Sequence, residues 1–256
     1  MERRKFCTLT GSAVVSLSLG IGCRRQSSSS NDGRITARPR RPAPSSTATL
    51  ADIAHGKAIS LGLDRERDAV LYLPRSANAP VPLLMFLHGA TQSADDMAWY
   101  LDSAPEETGV AILAPNSRAT TWDAISGAFG EDVEFLNRAL QRTFEMLDVD
   151  NARLTIGGFS DGATYAIALG LINGGLFKHV LACSPGFVID VTTQGKPNFF
   201  ISHGTQDNIL PIERCGRRVA ADLKSRGYEV TFREFAGRHE IPGDVMRAGL
   251  NWLIRP

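Results

Sequence analysis

The chain has 256 residues, of which 43% are hydrophobic and 21% charged, and its formal net charge is +1. That is apolar material for one globular domain with a sizeable core, and the near-neutral balance gives no global attraction to nucleic acid, which is not expected as a partner. No cofactor and no metal are expected either, because the Cys and His residues lack metal-ligand spacing and no G-x-x-x-x-G-K phosphate loop occurs.

Residues 1–22 read as an export signal. Glu2-Arg3-Arg4-Lys5-Phe6 is a basic start, and residues 13–21 form an apolar run too short to span a bilayer. The paired arginines resemble a twin-arginine signal, and an ordinary secretory signal is the alternative. Cys23, directly after Gly20-Ile21-Gly22, resembles the lipid-modified cysteine of a bacterial lipoprotein, although Gly20 departs from the usual larger aliphatic residue. The expected product is exported, either anchored to a membrane through Cys23 or free in the periplasm or outside the cell. Residues 23–50, rich in Ser, Pro and Arg and poor in large apolar side chains, are expected to form a flexible tether. The catalytic domain is expected over 51–256.

From residue 56 onward strand and helix patterns alternate. Strands are expected at 57–63 and 68–73, joined by the charged turn Asp64-Arg65-Glu66-Arg67, and then at 83–87 before His88-Gly89. A helix over 94–108 and a strand at 110–113 follow. Val133, Leu136, Leu140, Phe144 and Leu147 give helical periodicity over 132–147. A strand at 153–157 leads into a helix over 163–171. Strands at 179–183, 198–202 and 228–235 alternate with helices over 211–226 and 243–254. Doubly buried strands separated by amphipathic helices predict an α/β fold, a mostly parallel central sheet covered by helices on both faces. The stretch 186–197 is too short for a large cap domain, so an open site is expected.

Between that strand and helix stands Gly158-Phe159-Ser160-Asp161-Gly162, a G-x-S-x-G pattern. A strand turning at once into a helix bends sharply at the serine, and the flanking glycines permit the bend. Ser160 is therefore the candidate nucleophile. It needs a base, and the base needs an orienting group. Asp207 follows the strand ending at His203-Gly204, and His239 lies in the polar loop before the last helix; the order Ser, Asp, His is the one expected of α/β-hydrolases. His179 reads as structural and His203 as shaping the loop after it. The Asp161 amide is one candidate oxyanion donor. Ala90 is the first choice for the other and Thr91 the second, with His88 a scaffold. Cys183 and Cys215 are expected as separate buried thiols.

Leu87-His88-Gly89, Gly158 to Gly162, Ser202-His203-Gly204-Thr205-Gln206-Asp207 and Gly237-Arg238-His239 together resemble the phospholipase/carboxylesterase branch of the α/β-hydrolases, over about residues 56–256. That branch includes small bacterial esterases and acyl-protein thioesterases. The resemblance implies an α/β-hydrolase fold and a cofactor-free serine hydrolase acting on a small-molecule carboxylic ester or thioester. Asp161 stands where many relatives carry glutamine. Thr121-Trp122-Asp123 with Gly127 to Gly130 looks like a loop rimming the site, which makes Trp122 and Phe129, with Thr91, candidate substrate contacts. The alternatives are a polyester depolymerase or peptidase of the same fold, or a non-catalytic surface lipoprotein on a hydrolase scaffold.

Overall fold

The computed structural model describes residues 32–42, 58–74, 80–101 and 104–255. The export signal, Cys23 and the rest of the expected tether lie outside the described residues. Eight strands make one sheet: β1 (Ala58–Ser60), β2 (Ala69–Tyr72), β3 (Val81–Leu87), β4 (Ala111–Pro115), β5 (Val149–Phe159), β6 (His179–Cys183), β7 (Asn198–Gly204) and β8 (Val230–Phe235), in spatial order β1-β2-β4-β3-β5-β6-β7-β8. Only β1–β2 and β2–β4 pair antiparallel; the six strands from β4 to β8 across the sheet are parallel.

Among the described residues seven helices accompany them: α1 (Ala94–Leu101), α2 (Ala104–Thr108), α3 (Asp123–Ser126), α4 (Glu131–Met146), α5 (Asp161–Ile172), α6 (Gly216–Ser225) and α7 (Gly243–Ile254). The inner strands are apolar on both sides because both sides are covered. Along β3, Leu83, Met85 and Leu87 join one cluster with Leu136 and Leu140 of α4, Tyr165 and Leu169 of α5 and Leu223 of α6. The alternate residues Leu84 and Phe86 join the other, with Met97 of α1 and Met246, Leu250 and Leu253 of α7. The period of two along a strand thus assigns each helix to a layer.

Boundaries differ from expectation chiefly in four places, the first being the strand foreseen over 57–63, which is only Ala58–Ser60. The helix foreseen over 94–108 is two, α1 and α2, with Pro105 in the first turn of α2, where its missing N–H costs nothing. The strand leading to Ser160 is longer, starting at Val149. Residues 211–215 are a turn, so the next helix begins only at Gly216. Between β6 and β7 the crossover has no helix; it descends beside α5 and is tied to its end by the Gln194 N–H donating to Leu171 O, 2.8 Å.

The tether expected over 23–50 needs correction. Residues 32–42 lie as an extended strap across α5 and α4, with Ile35 only 1% exposed in the larger core cluster. The strap has little apolar surface, and two asparagines on the domain compensate for it. Asn173 Oδ1 accepts the Ile35 N–H at 2.9 Å and its Nδ2 donates to Gly33 O at 2.9 Å. Asn137 Oδ1 accepts the N–H groups of Thr36 and Ala37, both at 2.8 Å. An amide side chain matches backbone polarity on both its edges, so it can order an extended segment that hydrophobicity alone would leave loose.

Candidate active site

Ser160 sits between β5 and α5 at φ 55°, ψ −120°, a conformation costly for a residue with a side chain. A Cβ on Gly162 would run into the carbonyl oxygens of Leu87 and His88, and one on Gly158 into the Gly162 backbone. Both positions therefore require glycine. The Ser160 N–H donates to Cys183 O at 2.9 Å, which ties the turn to the end of β6.

The chain brings the three expected side chains together from the carboxyl ends of β5, β7 and β8. Ser160 Oγ lies 2.9 Å from His239 Nε2, and His239 Nδ1 lies 2.6 Å from Asp207 Oδ2. Nδ1–H donates to the carboxylate, which leaves Nε2 to accept from the serine hydroxyl. Asp207 is held by its other oxygen, which accepts the Ile209 and Leu210 N–H groups at 2.9 and 2.8 Å. His203 spans the same loop: its buried Nε2 is 2.7 Å from Leu210 O and 3.2 Å from Asp207 Oδ2, and burial pushes its pKa down. The Phe159 ring leans on His239 with centroids 4.7 Å apart.

The turn after β3 approaches the same serine. A Cβ built on Gly89 would stand 3.3 Å from Ser160 Cβ and 2.6 Å from Gln92 Oε1, so a side chain there would push the two turns apart. The Ala90 N–H donates to no described residue, whereas the Thr91 N–H is spent on Thr120 O at 2.6 Å. That separates the two candidates: Ala90 remains free as a donor and Thr91 does not. The Asp161 amide opens α5, where an N–H has no partner within the helix. His88 is buried, with Nδ1 donating to Gly89 O at 2.7 Å and Nε2 accepting the Ser117 N–H at 3.0 Å. Burial lowers its pKa, so the ring is a neutral brace.

Trp122 is not a substrate contact. It is fully buried, its Nε1–H donates to His88 O at 2.8 Å, and its ring stacks on Tyr165 at 5.4 Å. A buried indole needs an acceptor for its one donor, and here that acceptor is the backbone of the turn beside Ser160. Phe129 leans on the same Tyr165, 5.6 Å between centroids, and lies beside Gly33 of the strap, so no contact brings it to Ser160. Thr91 is exposed, with its hydroxyl on Ala90 O at 2.6 Å. The loop foreseen as a rim is instead a clamp: Thr120 O holds Thr91, the Thr121 hydroxyl donates to Asp161 Oδ2 at 2.7 Å, and Trp122 holds His88.

Sequence reasoning missed the apolar side chains that do reach solvent near the site. Phe187 is 48% exposed and Ile209 65% exposed. Ile209 stands two residues after Asp207. Phe187 follows Gly186, whose N–H donates to Thr164 Oγ1 at 2.9 Å in the first turn of α5. Their signal was position, just past the carboxyl ends of β7 and β6, the edge of the sheet where the triad gathers. Cys183 and Cys215 are both buried and unpaired, and burial pushes the Cys183 thiol up to about 12. Among the described residues no group of His, Cys, Asp or Glu is arranged to hold a metal, and no helix is long and apolar enough to cross a membrane.

A family model described as Phospholipase/Carboxylesterase matches residues 113–254, more than half of the chain. The chain is similar to feruloyl esterase C of Emericella nidulans, 28% identical over 116 residues, covering 45% of this chain and 42% of that protein. It is also similar to acyl-protein thioesterase 1 of the same organism, 32% identical over 96 residues, covering 33% and 39%. The match thus spans about two fifths of the length of each relative. Among solved structures it resembles the S-formylglutathione hydrolase of Staphylococcus aureus, with TM-score 0.65 and 15% identity, over 78% of this chain and 99% of that one. At that identity the likeness speaks to the fold.

Proposed function

The chain belongs to the phospholipase/carboxylesterase family, and on that premise we propose that it hydrolyses carboxylic esters with Ser160 as nucleophile, His239 as base and Asp207 as its orienting group. The observation that carries this reading is the unbroken line from Ser160 Oγ through His239 to Asp207, with contacts of 2.9 and 2.6 Å. His239 Nε2 takes the serine proton as Oγ attacks the ester carbonyl. The imidazolium so formed is stabilised by the Asp207 carboxylate. The Ala90 and Asp161 amides receive the developing oxyanion. His239 then returns its proton to the leaving alcohol, water enters as the second nucleophile, and the acid departs. A thioester follows the same course with a thiol leaving.

In Ser160→Ala, hydrolysis of p-nitrophenyl acetate and butyrate should fall by at least about 10³-fold. A fluorophosphonate probe should label Ser160 in the unsubstituted protein. Full activity in the variant would remove Ser160 from the mechanism, and failure of the probe to label would favour a binding role for the scaffold.

Residues 1–22 are proposed as an export signal and Cys23 as a lipid attachment site holding the enzyme at a membrane surface. The basic start, the short apolar run and the position of Cys23 support this. Mass spectrometry of the mature protein should find diacylglycerol on Cys23; a free N-terminus elsewhere would refute the anchor.

A further inference from the structure

Where the crossover after β6 passes α6, the two leave a groove of about 320 Å³ that the triad does not use. Gly186, Phe187 and Val188 form one wall, and Arg214, Arg218 and Arg226 line the other. Arg218, Asp222 and Arg226 recur every four residues along one face, in line with Arg214 in the turn before α6. The charges are not equivalent. Arg226 is neutralised by Asp222, with Nη2–Oδ2 at 2.9 Å and Nε–Oδ1 at 3.2 Å. Arg217, on a different face, is taken by Glu213 and Glu234. Arg214 and Arg218 are exposed and pair with no described acid, so two free guanidiniums remain at one end of the groove.

The Gly186 wall of the groove adjoins the site. The Gly186 N–H bonds Thr164 Oγ1, which in turn lies 3.3 Å from Ser160 O. A Cβ on Gly186 would touch the Leu210 side chain, in the loop whose amides hold Asp207. In a chain with net charge of only +1, two adjacent unpaired arginines do not reflect a generally basic surface. Guanidinium is the side chain best matched to a planar or tetrahedral oxyanion, and Phe187, half exposed beside it, offers apolar contact to whatever carries that anion. We propose that this groove receives the anionic end of the substrate: an ester whose non-reacting part carries a carboxylate, sulfate or phosphate. The proposal rests on the ester-hydrolase reading of Ser160 and names the class of ester.

The test compares mono-aryl esters of dicarboxylic acids of increasing length with their neutral methyl-capped counterparts, together with alcohol-side analogues bearing the free carboxylate. In the unsubstituted protein one series should show a preference for the anionic member of about five- to tenfold, expressed in KM, as two partly exposed charge pairs allow. The preference should disappear in Arg214→Gln/Arg218→Gln and in high salt, while kcat/KM for the neutral ester stays the same. Inorganic phosphate should compete with the anionic ester and leave neutral-ester turnover alone. Equal preference in the variant, no preference in either series, or a phosphate effect on neutral-ester kcat overturns the proposal. Neutral-ester hydrolysis reports separately on the catalytic reading. Its absence in the unsubstituted protein, or its persistence in Ser160→Ala, removes that reading and the proposal with it.

Discussion

Asn173→Ala should unlatch the strap. The Asn173 side chain is 6% exposed and closes three hydrogen bonds, accepting from Ile35 N–H and donating to Gly33 O and Leu169 O. Leu169 O also accepts the Asn173 backbone N–H at 2.8 Å, so it keeps a partner after truncation. The Ile35 N–H loses its acceptor, and the hydrogen bond to Gly33 O goes with it. A buried polar group left without a partner costs about 1–3 kcal/mol and a lost hydrogen bond about 1 kcal/mol, which together put the loss at about 2–4 kcal/mol. For a domain of this size that corresponds to a fall in Tm of about 5–15 °C. Thermal melts should be followed on the full chain, on Asn173→Ala, on a chain beginning after residue 42, and on that chain carrying Asn173→Ala. Because the amide acts through the strap, the substitution should cost much less in the shortened chain, a clear departure from additivity. Equal cost in both backgrounds, or a shift under about 2 °C in the full chain, would refute the latch.

Three further outcomes are expected. Trp122→Phe keeps a ring on Tyr165 but deletes the donor to His88 O, so kcat should fall more than KM rises, with about 1–3 kcal/mol lost in urea titrations; unchanged kcat would show that the turn at Ala90 does not depend on the indole. Asp207→Asn should lower kcat by about 10⁴-fold, as in comparable triads, without loss of fold by circular dichroism; a modest effect would mean that His239 is oriented by other means. Asp132 is buried and its carboxyl is raised to about 6, chiefly by that burial, against about 3.8 in the unfolded chain. The folded protein therefore holds a proton through pH 4–6 that the unfolded chain has released. The stabilisation this proton brings is complete below about pH 4 and is lost as pH rises through 6. Relative to Asp132→Asn, the unsubstituted protein should lose about 2–3 kcal/mol between pH 4 and 7 in urea titrations; parallel profiles would refute it.

The layered fold was legible because its signals are local. A strand buried on both faces announces itself by composition, and each such run fell within a few residues of an observed strand. Ser160, Asp207 and His239 were legible because sharp turns and strand ends constrain residue type strongly. The strap was not. Its own residues carry only Ile35 as a large buried side chain, and what orders it is Asn137 and Asn173, some hundred residues or more away and indistinguishable from other helix-surface asparagines until the backbone reaches them. Trp122 misled for a related reason. A likeness to a loop that rims the site in similar esterases suggested a substrate contact, and only the tertiary structure reveals that the indole N–H is directed at the carbonyl of His88.

The strap also fixes where the upstream chain departs. Asp32 and Arg34 lie beside Ile172, at the end of α5 remote from Ser160, and a twelve-residue helix is about 18 Å long. Eight residues separate Cys23 from Asp32, with a contour of at most about 30 Å. With Cys23 as the anchor proposed above, the attachment would reach the domain on the side away from Ser160. Esters would then reach Ser160 from the aqueous side rather than from within the lipid.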